Sequence, residues 1–115
     1  MTPGVTRVKV SELIEKAGFG AVTLPDAERE IKGAYAGDLL SWVMGRAKAD
    51  DAWITIMSNI NVVAVASLAD VACVVLAEDV ELDAEIKKTA LEKGINIISS
   101  GKPIYETALE IGRYL

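Results

Sequence analysis

Residues 71–77 (Val-Ala-Cys-Val-Val-Leu-Ala) carry no charged or strongly polar side chain. A strand with one face in water alternates apolar and polar residues. One that is apolar on both faces has to be covered above and below, as in the interior of a parallel sheet. Such a strand obliges the rest of the chain to supply helices for two faces, and alternating strands and helices are the usual way to do so. The flanking sequence reads in that way. Asp83 is placed to cap a helix that runs to Lys93 and stops at Gly94. A last strand at 95–98 and a terminal helix opened by Pro103 follow. Upstream, residues 52–57 read as a strand. For residues 60–70, Val62, Val63 and Val65 favour β structure, but the length and the alanines at 64, 66 and 69 favour a buried helix.

Nearer the start, Asp38 is the expected N-cap of a helix over 39–48, and Asp50-Asp51 the turn that follows it. The apolar arc of that helix, Leu39, Leu40, Trp42, Val43, Met44 and Ala47, is wide enough to be covered on two sides. Ser11 is the expected N-cap of a helix over 12–17 that Gly18 stops, with 8–10 as a short strand or lead-in. Two short β-like runs, 21–24 and 31–36, are separated by the charged turn 26–30 and read as a hairpin-like pair that adds an edge. The expected fold is therefore α/β, one domain over 1–115, with a mostly parallel sheet of about five strands flanked by helices.

Charge and composition narrow the function. With 12 Lys and Arg against 17 Asp and Glu, the net charge is −5, and no basic stripe marks a nucleic-acid binder. The longest weakly charged stretch, 60–77, contains Asn61, Ser67 and Asp70 and reads as core, so no membrane is expected. The first thirty residues lack the pattern of a signal peptide, and the expected setting is the cytoplasm. The absence of histidine removes Ser-His-Asp and Cys-His catalysis and imidazole metal sites. Cys73, the single cysteine, reads as a packed core thiol. No GxGxxG or GxxxxGK[ST] loop is present. The chain is expected not to be an enzyme and to hold no metal.

Three segments carry a more specific resemblance: Gly33-Ala34-Tyr35-Ala36-Gly37-Asp38-Leu39-Leu40-Ser41-Trp42-Val43-Met44, then Asp51-Ala52-Trp53-Ile54-Thr55-Ile56, then Asn61-Val62-Val63-Ala64-Val65-Ala66. They resemble the DRTGG domain family in its stand-alone form, over nearly the whole chain. The resemblance extends to the DRTGG domains of phosphotransacetylases and CBS-containing family II pyrophosphatases, and to the N-terminal domain of HPr kinase. It implies an α/β accessory domain, often dimeric, associated with regulation, and a kinase-like or hydrogenase-related protein as partner. No Asp-Arg-Thr-Gly-Gly string occurs here, so the family name transfers no functional residue. Asp38 after Gly37 is the counterpart of an acidic position.

In a parallel sheet, ligands gather at the carboxyl ends of the strands. Three polar loops are expected there: Asp38; Ser58, Asn59 and Asn61; and Ser99, Ser100, Gly101 and Lys102. The last combines hydroxyls, a glycine and a cation at a helix start, which would suit a phosphate, while either serine would equally serve as a cap. Ser58, Asn59 and Asn61 would bond a base or ribose, or simply cap the next helix. Asp38 would orient a ligand hydroxyl or serve only as a cap. The acidic run at 78–83 lacks the spacing of a calcium loop and is expected to complement the next helix dipole. These features favour a non-catalytic regulatory module that senses a ligand or binds a partner, with a nucleotide (an adenine nucleotide among them) or another phosphate-bearing molecule as candidate ligand, acting as a homodimer through Leu39, Trp42, Val43 and Met44. The alternatives are a scaffold subunit and a small enzyme on nucleotides or acyl phosphates using Asp38 and Lys102.

Overall fold

The computed structural model describes residues 7–115. In chain order the elements are α1 (Val10–Ala17), β1 (Gly20–Thr23), β2 (Gly33–Ala36), α2 (Leu40–Arg46), β3 (Asp51–Thr55), α3 (Asn61–Ala69), β4 (Cys73–Leu76), α4 (Ala84–Glu92), β5 (Ile97–Ser99) and α5 (Ile104–Gly112). They form one five-stranded sheet in the order β1-β5-β4-β3-β2. β2 to β5 are parallel, and β1 pairs antiparallel with β5, so the sheet is mixed.

The double-sided apolar run explains the layering. Successive strand residues point to opposite faces. Val74 and Leu76, with Trp53 and Ile97, are buried in one core with Val43, Val62, Val63 and Ile86 of α2 to α4. Cys73 and Val75, with Ala52, Ile54 and Ile98, are buried in the other with Leu13 of α1 and Ile111 of α5. Burial on this scale also settles the segment 60–70: four of its apolar residues, Val62, Val63, Val65 and Ala66, lie against the first core, which outweighs their β preference.

Several expectations about ends and edges are corrected. β1 and β2 are not a hairpin; they lie at opposite edges of the sheet. Each finds a better partner outside the segment: β5 for β1, and β3 for β2. α1 starts two residues earlier than a cap at Ser11 would allow, with Lys9 at its N-cap. The Glu12 carboxylate accepts the Lys9 amide at 2.9 Å, and Ser11 instead donates to Glu28. Asp51 is not a turn residue but a buried member of β3, its carboxylate accepting the Lys48 amide at 2.8 Å. α4 is capped as expected, with Asp83 accepting the Ile86 amide at 3.0 Å. α2 is covered on one side only. Val43 is fully buried, whereas Leu39, Trp42 and Met44 are half exposed or more, and the Arg46 guanidinium lies 3.8 Å over the Trp42 ring.

Candidate functional site

The chain passes from β2 to β5 through adjacent strands, with α2, α3 and α4 all on one face. After β5 it crosses to the other face, where α5 packs on β2 and β3. The loops that leave β4 and β5 therefore diverge to opposite sides of the sheet. That divergence makes the carboxyl ends of these neighbouring strands a switch point, the position where open α/β sheets bind ligands.

The backbone there is unusual. Glu78 and Asp79, directly after β4, have φ of 61° and 58°. The Val80 amide donates to the Ala77 carbonyl at 3.2 Å, which closes a turn with two consecutive left-handed residues. Turns of this kind select Asn or Gly at their centre. Holding Glu and Asp there costs about 1–2 kcal/mol per residue. The β5 loop holds them in place: the Glu78 amide donates to the Lys102 carbonyl at 2.9 Å, and the Asp79 amide to Ser100 O at 3.1 Å. Backbone kept in such a region by its surroundings concentrates at functional sites.

Beside this turn lies a cleft of about 460 Å³ lined by Val22, Asp79, Val80, Glu81, Leu82, Lys87 and Ser99. Its polar groups are two carboxylates, one ammonium and one hydroxyl on an apolar floor. Gly20 of β1 leaves room for the Ser99 hydroxyl, which would have to turn away from a Cβ standing 2.7 Å from it. The set can bond ligand hydroxyls and amines through Asp79 and Glu81 and an anionic group through Lys87. Among the described residues, no three His, Cys, Asp or Glu side chains come together as a metal site.

The expected site residues divide. All three loops reach the same end of the sheet, but Asp38 follows β2 and Ser99 ends β5, three strand spacings or about 14 Å apart. Asp38 does not cap α2, whose N-cap is Leu39. It clasps the next strand instead, accepting from Thr55 Oγ1 at 2.7 Å and from the Ile56 amide at 3.0 Å. Ser58, Asn59 and Asn61 are exposed; Asn59 Oδ1 accepts the Asn61 amide at 2.9 Å, while Ile60 is the N-cap of α3. Ser100 does not cap α5 either, since Pro103 stands at that position. Its buried hydroxyl accepts the Lys102 amide and contacts Thr107 Oγ1 at 2.9 Å. Those amides and hydroxyls are spent within the fold, which weakens the loop as a phosphate cradle. Lys102 pairs with Glu110 at 3.6 Å. Gly101 lies against Asp79, a Cβ on it meeting Oδ1 at 3.3 Å.

Sequence reading missed Asp79, Glu81 and Lys87. The acidic run was visible but looked like a helix-dipole device, and nothing in it marks φ above zero.

The shifted titrations lie elsewhere. At the amino ends of the strands, Arg29 bonds Asp50 Oδ1 through Nε at 3.0 Å and Asp70 Oδ1 through Nη2 at 2.9 Å. Burial pushes the Asp50 carboxyl up, but hydrogen bonds from Arg29 and Lys32 outweigh it, and the net value lies below the ordinary one. Burial drives the Cys73 thiol up to about 12.

The sequence profile of the DRTGG domain matches residues 8–114. No curated protein matches the chain. Among solved structures, the fold is similar to the CBS and DRTGG domains of the regulatory region of a Clostridium perfringens pyrophosphatase, complexed with its activator diadenosine tetraphosphate. The TM-score is 0.74 at 12% identity, over 90% of this chain and 45% of that one. This chain thus spans less than half of that regulatory region, and at this identity the likeness shows the fold.

Proposed function

The chain belongs to the DRTGG domain family, and from that premise we propose that it is a regulatory, ligand-binding module whose ligand is an adenine nucleotide held in the cleft that β1, the end of β5, the loop after β4 and α4 line beside the Glu78-Asp79 turn. The observation that carries this reading is the strained Glu78-Asp79 turn at the edge of the cleft, at the one place where successive loops part to opposite faces. The similar regulatory region was solved with an adenine dinucleotide activator, which supports the ligand class. Asp79 and Glu81 suit the ribose hydroxyls, Val22 and Leu82 the base, and Lys87 the phosphate. Asp38, Ser58, Asn59 and Asn61 fall outside this site.

A catalytic role is less well supported. Asp38 and Lys102, the pair it would need, are already engaged, Asp38 with Thr55 and Lys102 with Glu110. The scaffold alternative needs a partner surface. Leu39, Trp42 and Met44 of the expected interface are exposed for one.

The test is a thermal-shift and calorimetric titration with diadenosine tetraphosphate, ATP, ADP and AMP, with and without Mg²⁺. A ligand at about 100 times its Kd stabilises the fold by about 2.7 kcal/mol, a Tm rise of about 8 °C or more. Asp79→Ala and Lys87→Ala should each lower the affinity, and Asp38→Asn should not. If no nucleotide binds, or Asp38→Asn alone abolishes binding, the assignment to this cleft fails.

A further inference from the structure

The carboxyl ends of β2 and β3 carry an exposed apolar patch. Leu39 is 57% and Trp42 51% exposed at the start of α2, and Ile56 (40%) and Ile60 (46%) are exposed in the loop from β3 to α3. The Asp38 carboxylate ties the two loops together by accepting the Ile56 amide at 3.0 Å. β2 and β3 are neighbours in the sheet and α2 packs beside α3, so these side chains share one end of the molecule. Uncharged polar groups, Ser58, Asn59 and Asn61, lie exposed in the same loop. An apolar centre with a polar rim is the anatomy of a protein interface, and Trp and Arg are the residues that most often carry its energy.

The charges decide what covers it. The Arg46 guanidinium lies 3.8 Å over the Trp42 ring and makes no ion pair among the described residues. From Leu39 to Ala49 the chain has Arg46 and Lys48 and no acid, and α3 has no charged residue at all. The Asp38 carboxylate at this end is taken up by Thr55 and Ile56. A partner that covers Trp42 also takes Arg46 out of water, and a cation buried without a carboxylate is heavily penalised. A second copy pairing through the same patch would bring Arg46 another cation and no free carboxylate, so the occupant has to supply the acid itself. We propose that this patch docks an acidic amphipathic segment of a partner protein, whose apolar side chains cover Leu39, Trp42, Ile56 and Ile60 and whose carboxylate pairs with Arg46. The patch is on the β2–β3 side of the sheet, apart from the cleft beside β1 and β5, so the nucleotide titrations do not bear on it.

Trp42 reports on its own surface. The chain has two tryptophans, and Trp53 is fully buried, so acrylamide quenching of the native emission reads Trp42. Short random peptides displayed on phage are selected on the full chain, and the selected peptides are synthesised and titrated by calorimetry and fluorescence. They should carry Asp or Glu beside Leu, Phe or Trp. Bound peptide should move the Trp42 emission to the blue and shield it from acrylamide. Trp42→Ser should weaken binding about thirtyfold or more, and Arg46→Glu about tenfold or more. A peptide whose acid is replaced by Lys should regain affinity for the Arg46→Glu chain, a comparison of two peptides on one folded variant. Leu91→Ser, at an exposed leucine of α4, should change nothing. No selected peptide, selected peptides without acids, or acidic peptides that bind the Trp42→Ser and Arg46→Glu chains as tightly as the wild type would overturn the proposal. So would shielding of Trp42 that rises with protein concentration alone, which would give the face to a second copy.

Discussion

Asn96 holds Asp26, seventy residues away, by both backbone groups of that residue. The Asp26 amide donates to Asn96 Oδ1 at 2.9 Å, and Asn96 Nδ2 donates to Asp26 O at 2.7 Å and to Ala72 O at 3.0 Å. Asn96 is 2% and Ala72 1% exposed, so the bond to Ala72 O is shut off from water, while Asp26 lies at the surface. A single side chain thus ties the turn after β1 to the starts of β4 and β5. The antiparallel edge strand is stitched on at this end by Asn96, and by Thr23 Oγ1 donating to Ile95 O at 2.8 Å.

Asn96→Ala removes the side-chain partner of the buried Ala72 carbonyl, at about 1–3 kcal/mol if that group is left dry, and unties both backbone groups of Asp26 at about 1 kcal/mol each. The expected loss is about 2–4 kcal/mol, read as a fall in Tm of about 8 °C or more. Asn96→Asp should cost nearly as much, because it keeps the acceptor and turns a carboxylate toward two carbonyls. Urea denaturation of both variants checks this, and a loss below about 1 kcal/mol would show the side chain to be dispensable.

The clamp at the amino ends of the strands sets an acid dependence. The Asp50 carboxyl is held below its ordinary value by the hydrogen bonds from Arg29 and Lys32, against the opposing effect of burial. A lowered folded value means stability that is complete above about pH 5 and is lost as pH falls through and below the ordinary carboxylate value of about 3.9. Arg29→Met should therefore lower stability at neutral pH by about 1–2 kcal/mol. It should also flatten the decline between about pH 5 and pH 2. Thermal melts across that range distinguish the two parts: a parallel offset with an unchanged slope would mean that the arginine acts by packing alone.

Much of the order of elements was legible because the core strands announce themselves. Residues 71–77 have to be covered on both faces, Asp83 has a cap's local geometry, and neither fact depends on distant residues. What was illegible is non-local. That β1 belongs beside β5, and not β2, rests on Asn96, Thr23 and the backbone of residues far down the chain. Asp38 looked like a cap because its true partners, Thr55 and Ile56, lie on another strand. Ser100 looked like a ligand group because its neighbour Thr107 was not known to be within 3 Å. The cleft was hidden for a different reason. A glycine at 78 or 79 would have advertised a left-handed turn; Glu and Asp conceal it, since their identity says nothing of φ.

Cys73 gives a direct probe of the double-sided strand. It is fully buried in the core shared with α1 and α5, and burial pushes its thiol up to about 12. The thiolate, the reactive form, is therefore scarce in the native protein near pH 8. A thiol reagent such as Ellman's reagent should not modify native protein on the time scale of minutes, and should titrate one thiol fully in urea. The rate in native buffer should follow global unfolding. Fast modification of the folded protein would mean that the helical layer opens locally over β4.

The turn at Glu78 and Asp79 predicts opposite outcomes for stability and binding. Glycine tolerates φ near 60° without the steric conflict of a Cβ, so Glu78→Gly should relieve strain of about 1–2 kcal/mol. It would gain back less than that, about 0.5–1 kcal/mol, because glycine also loosens the unfolded chain. Asp79→Gly should be stabilising to a similar degree. If strain is maintained here for binding, the two variants part company with a nucleotide present. Glu78→Gly keeps the cleft lining and should bind nearly as the wild type does. Asp79→Gly removes a carboxylate that lines the cleft and should lose affinity while gaining Tm. Melting curves with and without ligand read both effects in one experiment. A turn kept in a costly conformation for binding gives that crossed pattern; one kept for folding would lose stability in both variants.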